Sequence, residues 1–137
     1  MSLFNVFDVS GTALSAQSVR LNTIASNMAN AGVITGSEET AYRARYPVFS
    51  SVFDSAMENP NSVGVKVDGI VESQGETPKE YIPSHPMADE DGFVYRSNVN
   101  SVEEMANMIS ASRSYQSNVE AMETTKQLIM RTLSLGN

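Results

Sequence analysis

The sequence has no cysteine, no tryptophan and a single histidine in 137 residues. Without cysteine there is no disulfide scaffold and no thiolate zinc site, while the redox compartment stays open. No run approaches the roughly eighteen apolar residues of a transmembrane helix. The N-terminus lacks a basic stretch followed by an apolar core, so neither direct membrane insertion nor a cleaved secretion signal is expected. Positive charge is scarce: nine Lys and Arg stand against sixteen Asp and Glu, for a net charge of −7 and a pI near 4.6. A nucleic-acid binder would show a basic face, so no nucleic-acid partner is expected. The last absence is local. From Ser101 to Leu135 there is neither Gly nor Pro, and nothing there interrupts a helix.

That last stretch carries an apolar seam. Positions 105, 108, 112, 115, 119, 122, 126, 129 and 133 read Met, Met, Ser, Tyr, Val, Met, Lys, Ile, Leu, spaced alternately three and four apart. This is the pattern of a helix laid along another helix. Ser101 stands three residues before Glu104, the spacing of a capping box, and Gly136 stands where a left-handed C-cap belongs. A helix of this length spans roughly 50 Å, more than one small domain can bury, so it needs a long partner.

The other end supplies one. Positions 4, 7, 11, 14, 18, 21, 25 and 28 read Phe, Phe, Gly, Leu, Ser, Leu, Ala, Met, a second seam whose small members permit close helix approach. The helix is expected to begin near Ser10 or a few residues earlier and to stop by Gly32. Off the seam stand Ser15, Gln17, Asn22, Thr23, Ser26, Asn27 and Asn30, polar but uncharged. Such residues suit a helix touched by protein on several sides, whereas a weak helix or disordered tail is the plainer reading.

Charge and breakers divide the chain into 1–33, 34–100 and 101–137. All five prolines fall between 47 and 86, and residues 34–100 hold eleven acidic and five basic side chains. The middle is therefore expected to face solvent and the ends to be buried. Within the middle, Tyr42–Phe53 reads as an edge strand or two short strands around Pro47. Alternating valines run from Val63 to Val71, and Glu80–Ile82 and Phe93–Tyr95 are further short strands. The fold class is mainly α with a β-rich insert: paired N- and C-terminal helices forming a coiled coil, with a small outward β-rich region between them.

Chemical motifs are weak. His85 lies between two prolines, four residues before Asp89, and a hydrolase built on it is the enzymatic alternative. There is no nucleophile elbow, phosphate loop or HExxH, and a His so flanked reads as a turn residue. Asp89-Glu90-Asp91-Gly92 resembles a calcium loop only superficially. Aligned on its Gly, the terminal ligand positions are Met87 and Asn98. The methionines of the C-terminal seam read as core. No catalytic, cofactor or metal site emerges.

Residues 20–31, RLNTIASNMANA, resemble the N-terminal motif of bacterial flagellar rod, hook and hook-filament proteins, and YRARYPVF resembles that family's first strand. Residues 81–126 are similar to proximal rod proteins of the FlgC type, through the Pro-Ser-His-Pro turn, the Gly-aromatic-Val step, Asn-Val before the helix, Glu104-Met105 and Ala111–Gln116. Met87 and Ser97 depart from the family pattern, where an acidic residue and Pro are common. The resemblance implies a structural subunit, not an enzyme, whose terminal helices self-assemble into a hollow torque-transmitting shaft. It implies partners among copies of itself, sister rod proteins and the flagellar type III export apparatus, and a place in the basal-body rod crossing the periplasm. Another axial protein, or a helical effector or adhesin exported by the same route, is the alternative. The assembly interface expected from the seams and the motif comprises Phe7, Leu14, Leu21, Asn27, Met28, Asn30, Met105, Met108, Tyr115, Val119, Met122, Ile129 and Leu133.

Overall fold

The computed structural model describes residues 3–52 and 63–135. Phe53, the Phe4 side chain and the Gly136 cap lie outside that description. Two long helices bracket five short strands: α1 (Leu3–Asn30), β1 (Ile34–Thr35), β2 (Arg45–Val52), β3 (Gly64–Glu72), β4 (Lys79–Tyr81), β5 (Phe93–Arg96) and α2 (Ser101–Leu135). α1 begins seven residues before Ser10, because Leu3–Val9 offers neither Pro nor Gly to stop it. Its end falls where expected, with the Ala31 and Val33 amides donating to the carbonyls of Met28 and Asn30. α2 covers the breaker-free stretch. Its N-cap, however, is Asn100, whose Oδ1 accepts from the Val102 and Glu103 amides at 3.1 and 3.3 Å. Ser101 begins no capping box, because the Glu104 carboxylate is engaged elsewhere.

The chain divides into two compact units. One comprises residues 1–21, 47–69 and 109–137; the other comprises 22–46 and 70–108. In the first, the Thr12 hydroxyl accepts from the Val65 amide at 3.2 Å and donates to the Val9 carbonyl at 2.8 Å, tying α1 to β3. A methyl placed on Gly11 would meet Met122 Cε of α2 at 3.9 Å, ordinary contact distance. β2 and β3 form a two-stranded sheet, so each is an edge strand and Pro47 is tolerated. Asp68 is held below the usual carboxylate range by a Ser50 hydrogen bond and by Lys66, which lies 3.0 Å away.

The second unit contains a three-stranded antiparallel sheet in the order β1-β5-β4, with Ile34 opposite Arg96, Lys79 opposite Tyr95 and Tyr81 opposite Phe93. Val94, in its middle strand, is 0% exposed. The turn entering β5 is fixed twice. Gly92 has φ +83°, and a Cβ there would lie 2.8 Å from Tyr81 Cε2. Asp89 Oδ1 accepts from the Asp91 and Phe93 amides at 3.0 and 2.8 Å.

The middle is largely solvent-facing, as β2, β3 and β4 are, though not uniformly so, and the expectation that the ends are buried is corrected within this chain. Val94, Ala44 and Ala41 of the middle are buried, whereas the α2 terminus holds Leu133 and Leu135 at 67% and 87% exposure. Helix length is the reason. A rod roughly 50 Å long outruns the partner surface one such chain provides.

Candidate assembly interface

The best-determined polar cluster lies in the second unit and centres on Asn27, which is 0% exposed. Its Nδ2 donates to the Arg45 carbonyl at 2.8 Å and to Glu104 Oε2 at 2.9 Å. Its Oδ1 accepts from the Arg45 amide at 2.9 Å and the Tyr42 hydroxyl at 3.0 Å. The side-chain amide is thereby fully used, two donations and two acceptances. Glu104, only 2% exposed, receives Asn107 Nδ2 on its other oxygen at 3.1 Å. Ser26 donates to the Tyr42 hydroxyl at 3.2 Å, and the Arg45 guanidinium stands 5.5 Å from the Tyr42 ring centroid. Burial raises the Tyr46 phenol above its ordinary value of 10.0, and the nearby charges of Glu104 and Glu103 raise it further. The node joins α1, the start of β2 with the loop before it, and the first turn of α2 without a buried cation. A buried carboxylate is tolerable only if its lone pairs are taken, and both oxygens of Glu104 accept a bond.

A second clamp lies close by in sequence. Asn98 Oδ1 accepts from the Ala44 amide at 2.7 Å, and its Nδ2 donates to the Gly75 carbonyl at 3.1 Å. Sequence reasoning missed it; an isolated Asn before a helix gives no sign of which backbone it will clamp.

The seam on α2 is half as expected. Met108, Met122 and Ile129 are half-buried and Tyr115 lies just at the exposed side. The other rail shifts by one residue. Glu104, Ala111 and Thr125 are buried and Asn118 half-buried, seven apart, while Met105, Lys126 and Leu133 are exposed; Ser112 and Val119 are half-buried. The shifted rail is small or polar, and apolar spacing cannot register it. On α1 the same thing happens. Leu14, Leu21, Met28 and Asn30 are half-buried, but Phe7, Ser18 and Ala25 are exposed, and the buried positions are Ser10, Ala16, Thr23, Ile24 and Asn27. Thr23 and Asn27, assigned above to faces touched by other protein, are covered within this chain.

Apolar side chains remain uncovered. In the first unit Phe7, Val48, Phe49, Val52, Ile109, Leu128, Met130, Leu133 and Leu135 are exposed; in the second, Val33, Ile70, Val71, Tyr81, Met87, Val102 and Met105 are. His85 offers no catalytic arrangement. Its Nδ1 accepts from the Met87 amide at 3.1 Å, and Asp89 spends its carboxylate on two backbone amides and on the Tyr95 hydroxyl at 3.3 Å. Among the described residues no group of three or more acidic or His side chains could hold a metal ion, and no helix is long and apolar enough to cross a membrane.

Long terminal helices around a small β-rich region, with exposed apolar side chains along them, define a helix-ended structural subunit. Comparison with known proteins makes this specific. Residues 7–33 match the family described as flagella basal body rod protein, and residues 90–135 match the flagellar basal body rod FlgEFG protein C-terminal family. The flagellar basal-body rod protein FlgC of Salmonella typhimurium is 46% identical over 136 residues, covering 99% of each chain. Those of Escherichia coli O6:H1 and Yersinia enterocolitica are 47% and 48% identical over the same span and coverage. The chain belongs to the FlgC-type family of flagellar basal-body rod proteins. It is a structural rod subunit and not an enzyme.

Proposed function

We propose that this subunit builds the proximal part of the rod, joining copies of itself and sister rod proteins through its terminal helices into a hollow, torque-transmitting shaft. In this reading residues 1–33 and 101–137 form a paired-helix coiled-coil core, and residues 34–100 face outward. The observation that carries it is the uncovered apolar end of α2: among the described residues, Leu128, Met130, Leu133 and Leu135 are exposed. An isolated helix of this kind is marginal in water, and an apolar surface of this extent belongs against protein. The approach of Gly11 to Met122 within one unit and the Asn27–Glu104 bond within the other support the helix pairing. Export through the flagellar type III apparatus, without a cleaved signal, completes the reading. Of the thirteen interface residues named from the sequence, all but Asn27, which is covered within this chain, remain its candidate contacts. Met105 and Leu133 serve best as intersubunit positions, because their exposure leaves them available.

Changing Leu133 to Asp tests it. The soluble subunit should keep its melting temperature within about 2 °C, since an exposed position contributes little. Basal bodies from cells carrying the variant should lack a complete rod and hook. Normal rods would remove the α2 terminus from the interface.

A further inference from the structure

We infer that Met130 is an oxidation site of the unassembled subunit: its thioether takes an oxygen atom from a peroxide, and the sulfoxide so formed keeps the end of α2 from packing. The consequence for packing rests on the assembly reading above; the chemistry at sulfur does not. The chain has no cysteine, so thioethers are its most readily oxidised sulfur groups. Met130 is 62% exposed, ahead of Met105 at 53% and Met87 at 49%, while Met28, Met108 and Met122 are half-buried.

Surroundings separate Met130 from the other two exposed methionines. It lines an open cleft of about 500 Å³ together with Glu123, Lys126, Gln127 and Arg131. Lys126 and Gln127 stand four and three residues before it, on its own face of the helix. Lys126 and Arg131 have no ion-pair partner among the described residues. In the reaction the sulfur lone pair attacks one peroxide oxygen and the O–O bond breaks. The departing hydroxide collects the proton left on the transferred oxygen, giving sulfoxide and water. Sulfur loses two electrons and the peroxide gains them. Negative charge develops on the departing oxygen, and the N–H donors of an ammonium, an amide and a guanidinium stabilise it. Glu123 is the one acid lining the cleft and offsets part of that field. Met105 directly follows Glu103 and Glu104, and Met87 shortly precedes Asp89-Glu90-Asp91, carboxylates that oppose the same charge. The product is polar where the thioether was apolar. At Met130 it stands on the helix end that exposes Leu128, Leu133 and Leu135, so packing there would bury an unmatched acceptor.

Brief treatment of the dilute full-length subunit with hydrogen peroxide, followed by peptide mass spectrometry, tests it. Met130 should be oxidised about threefold faster than Met105 and Met87, although the three exposures are close. Lys126→Gln combined with Arg131→Gln should bring Met130 down to the rate of Met105 and leave Met87 unchanged. Both positions are exposed, so the fold should tolerate the pair. Equal rates at the three methionines of the parent, or an unchanged Met130 rate in the double variant, would overturn the site. The consequence is read in cells. Met130→Gln, polar like the sulfoxide, should reduce the number of complete rods, and Met130→Leu should leave it normal. Normal rods from Met130→Gln would overturn the effect on packing. Normal rods from Leu133→Asp would instead remove the assembly reading and leave the peroxide rates standing.

Discussion

The two compact units solve the same problem differently. The unit of residues 22–46 and 70–108 closes on itself with directional bonds: Asn27, Glu104, Tyr42 and Asn98 tie helix ends, strand and loop together. The unit of residues 1–21, 47–69 and 109–137 has fewer such ties, and its α2 terminus leaves Leu128, Met130, Leu133 and Leu135 in water, while the former keeps exposed apolar residues such as Tyr81 and Val102 beside its polar lock. A polar lock specifies one geometry through its own bonds; an uncovered apolar helix is stable chiefly when a neighbour covers it. On the reading proposed above, one chain holds a finished part and an unfinished part, the second being the part that assembly completes.

The largest expected effect comes from breaking the finished part. Asn27→Asp removes two donors and sets a second carboxylate against buried Glu104. Leaving a buried charge without its partners should cost about 3 kcal/mol or more. Thermal unfolding of the soluble subunit should drop by about 10 °C, and Asn27→Asp combined with Glu104→Gln should recover part of the loss. An unchanged midpoint would mean the node is decorative.

Val119→Asp probes the other part. Val119 is half-buried beside the seam of α2, so the subunit alone should lose only about 1 kcal/mol. In the assembled helices an unpaired carboxylate should cost several kcal/mol. Cells should export the variant yet fail to complete a rod, while the neighbouring Glu120→Gln should behave like the parent. Fractionation with imaging of basal bodies decides the point, and rods of normal length would show that this face carries no assembly contact.

A smaller effect sharpens the comparison by pH. Tyr46 has a raised phenol value caused first by burial and then by Glu104 and Glu103. Its folded form favours the neutral phenol, so its contribution is intact below 10.0 and is lost as pH rises through the raised value. Ultraviolet titration should find two tyrosines, Tyr46 and Tyr95, ionising late, and Glu104→Gln should bring Tyr46 earlier.

Much of this fold was legible in the sequence, for definite reasons. The α2 helix announces itself through the absence of breakers, and β3 through alternating valines. β1, two residues long, is held by its register on β5 rather than by any pattern of its own. The family motif pointed to Asn27, but its role in this chain comes from partners distant in sequence, at Tyr42, Arg45 and Glu104. The seam was misread on one rail because the buried residues there, Glu104, Ala111 and Thr125, are small or polar. Apolar spacing finds residues that avoid water, not residues whose hydrogen bonds let them leave it.

Hydrogen exchange on the dilute subunit and on assembled rods tests the central claim most directly. Amides of residues 22–30 and 93–104 should be protected in both states. Those of residues 5–16 and 112–135 should exchange quickly in the dilute subunit and become protected in the rod. Strong protection of residues 112–135 in the dilute subunit, or their continued rapid exchange in the rod, would contradict the division between a finished unit and one completed by assembly.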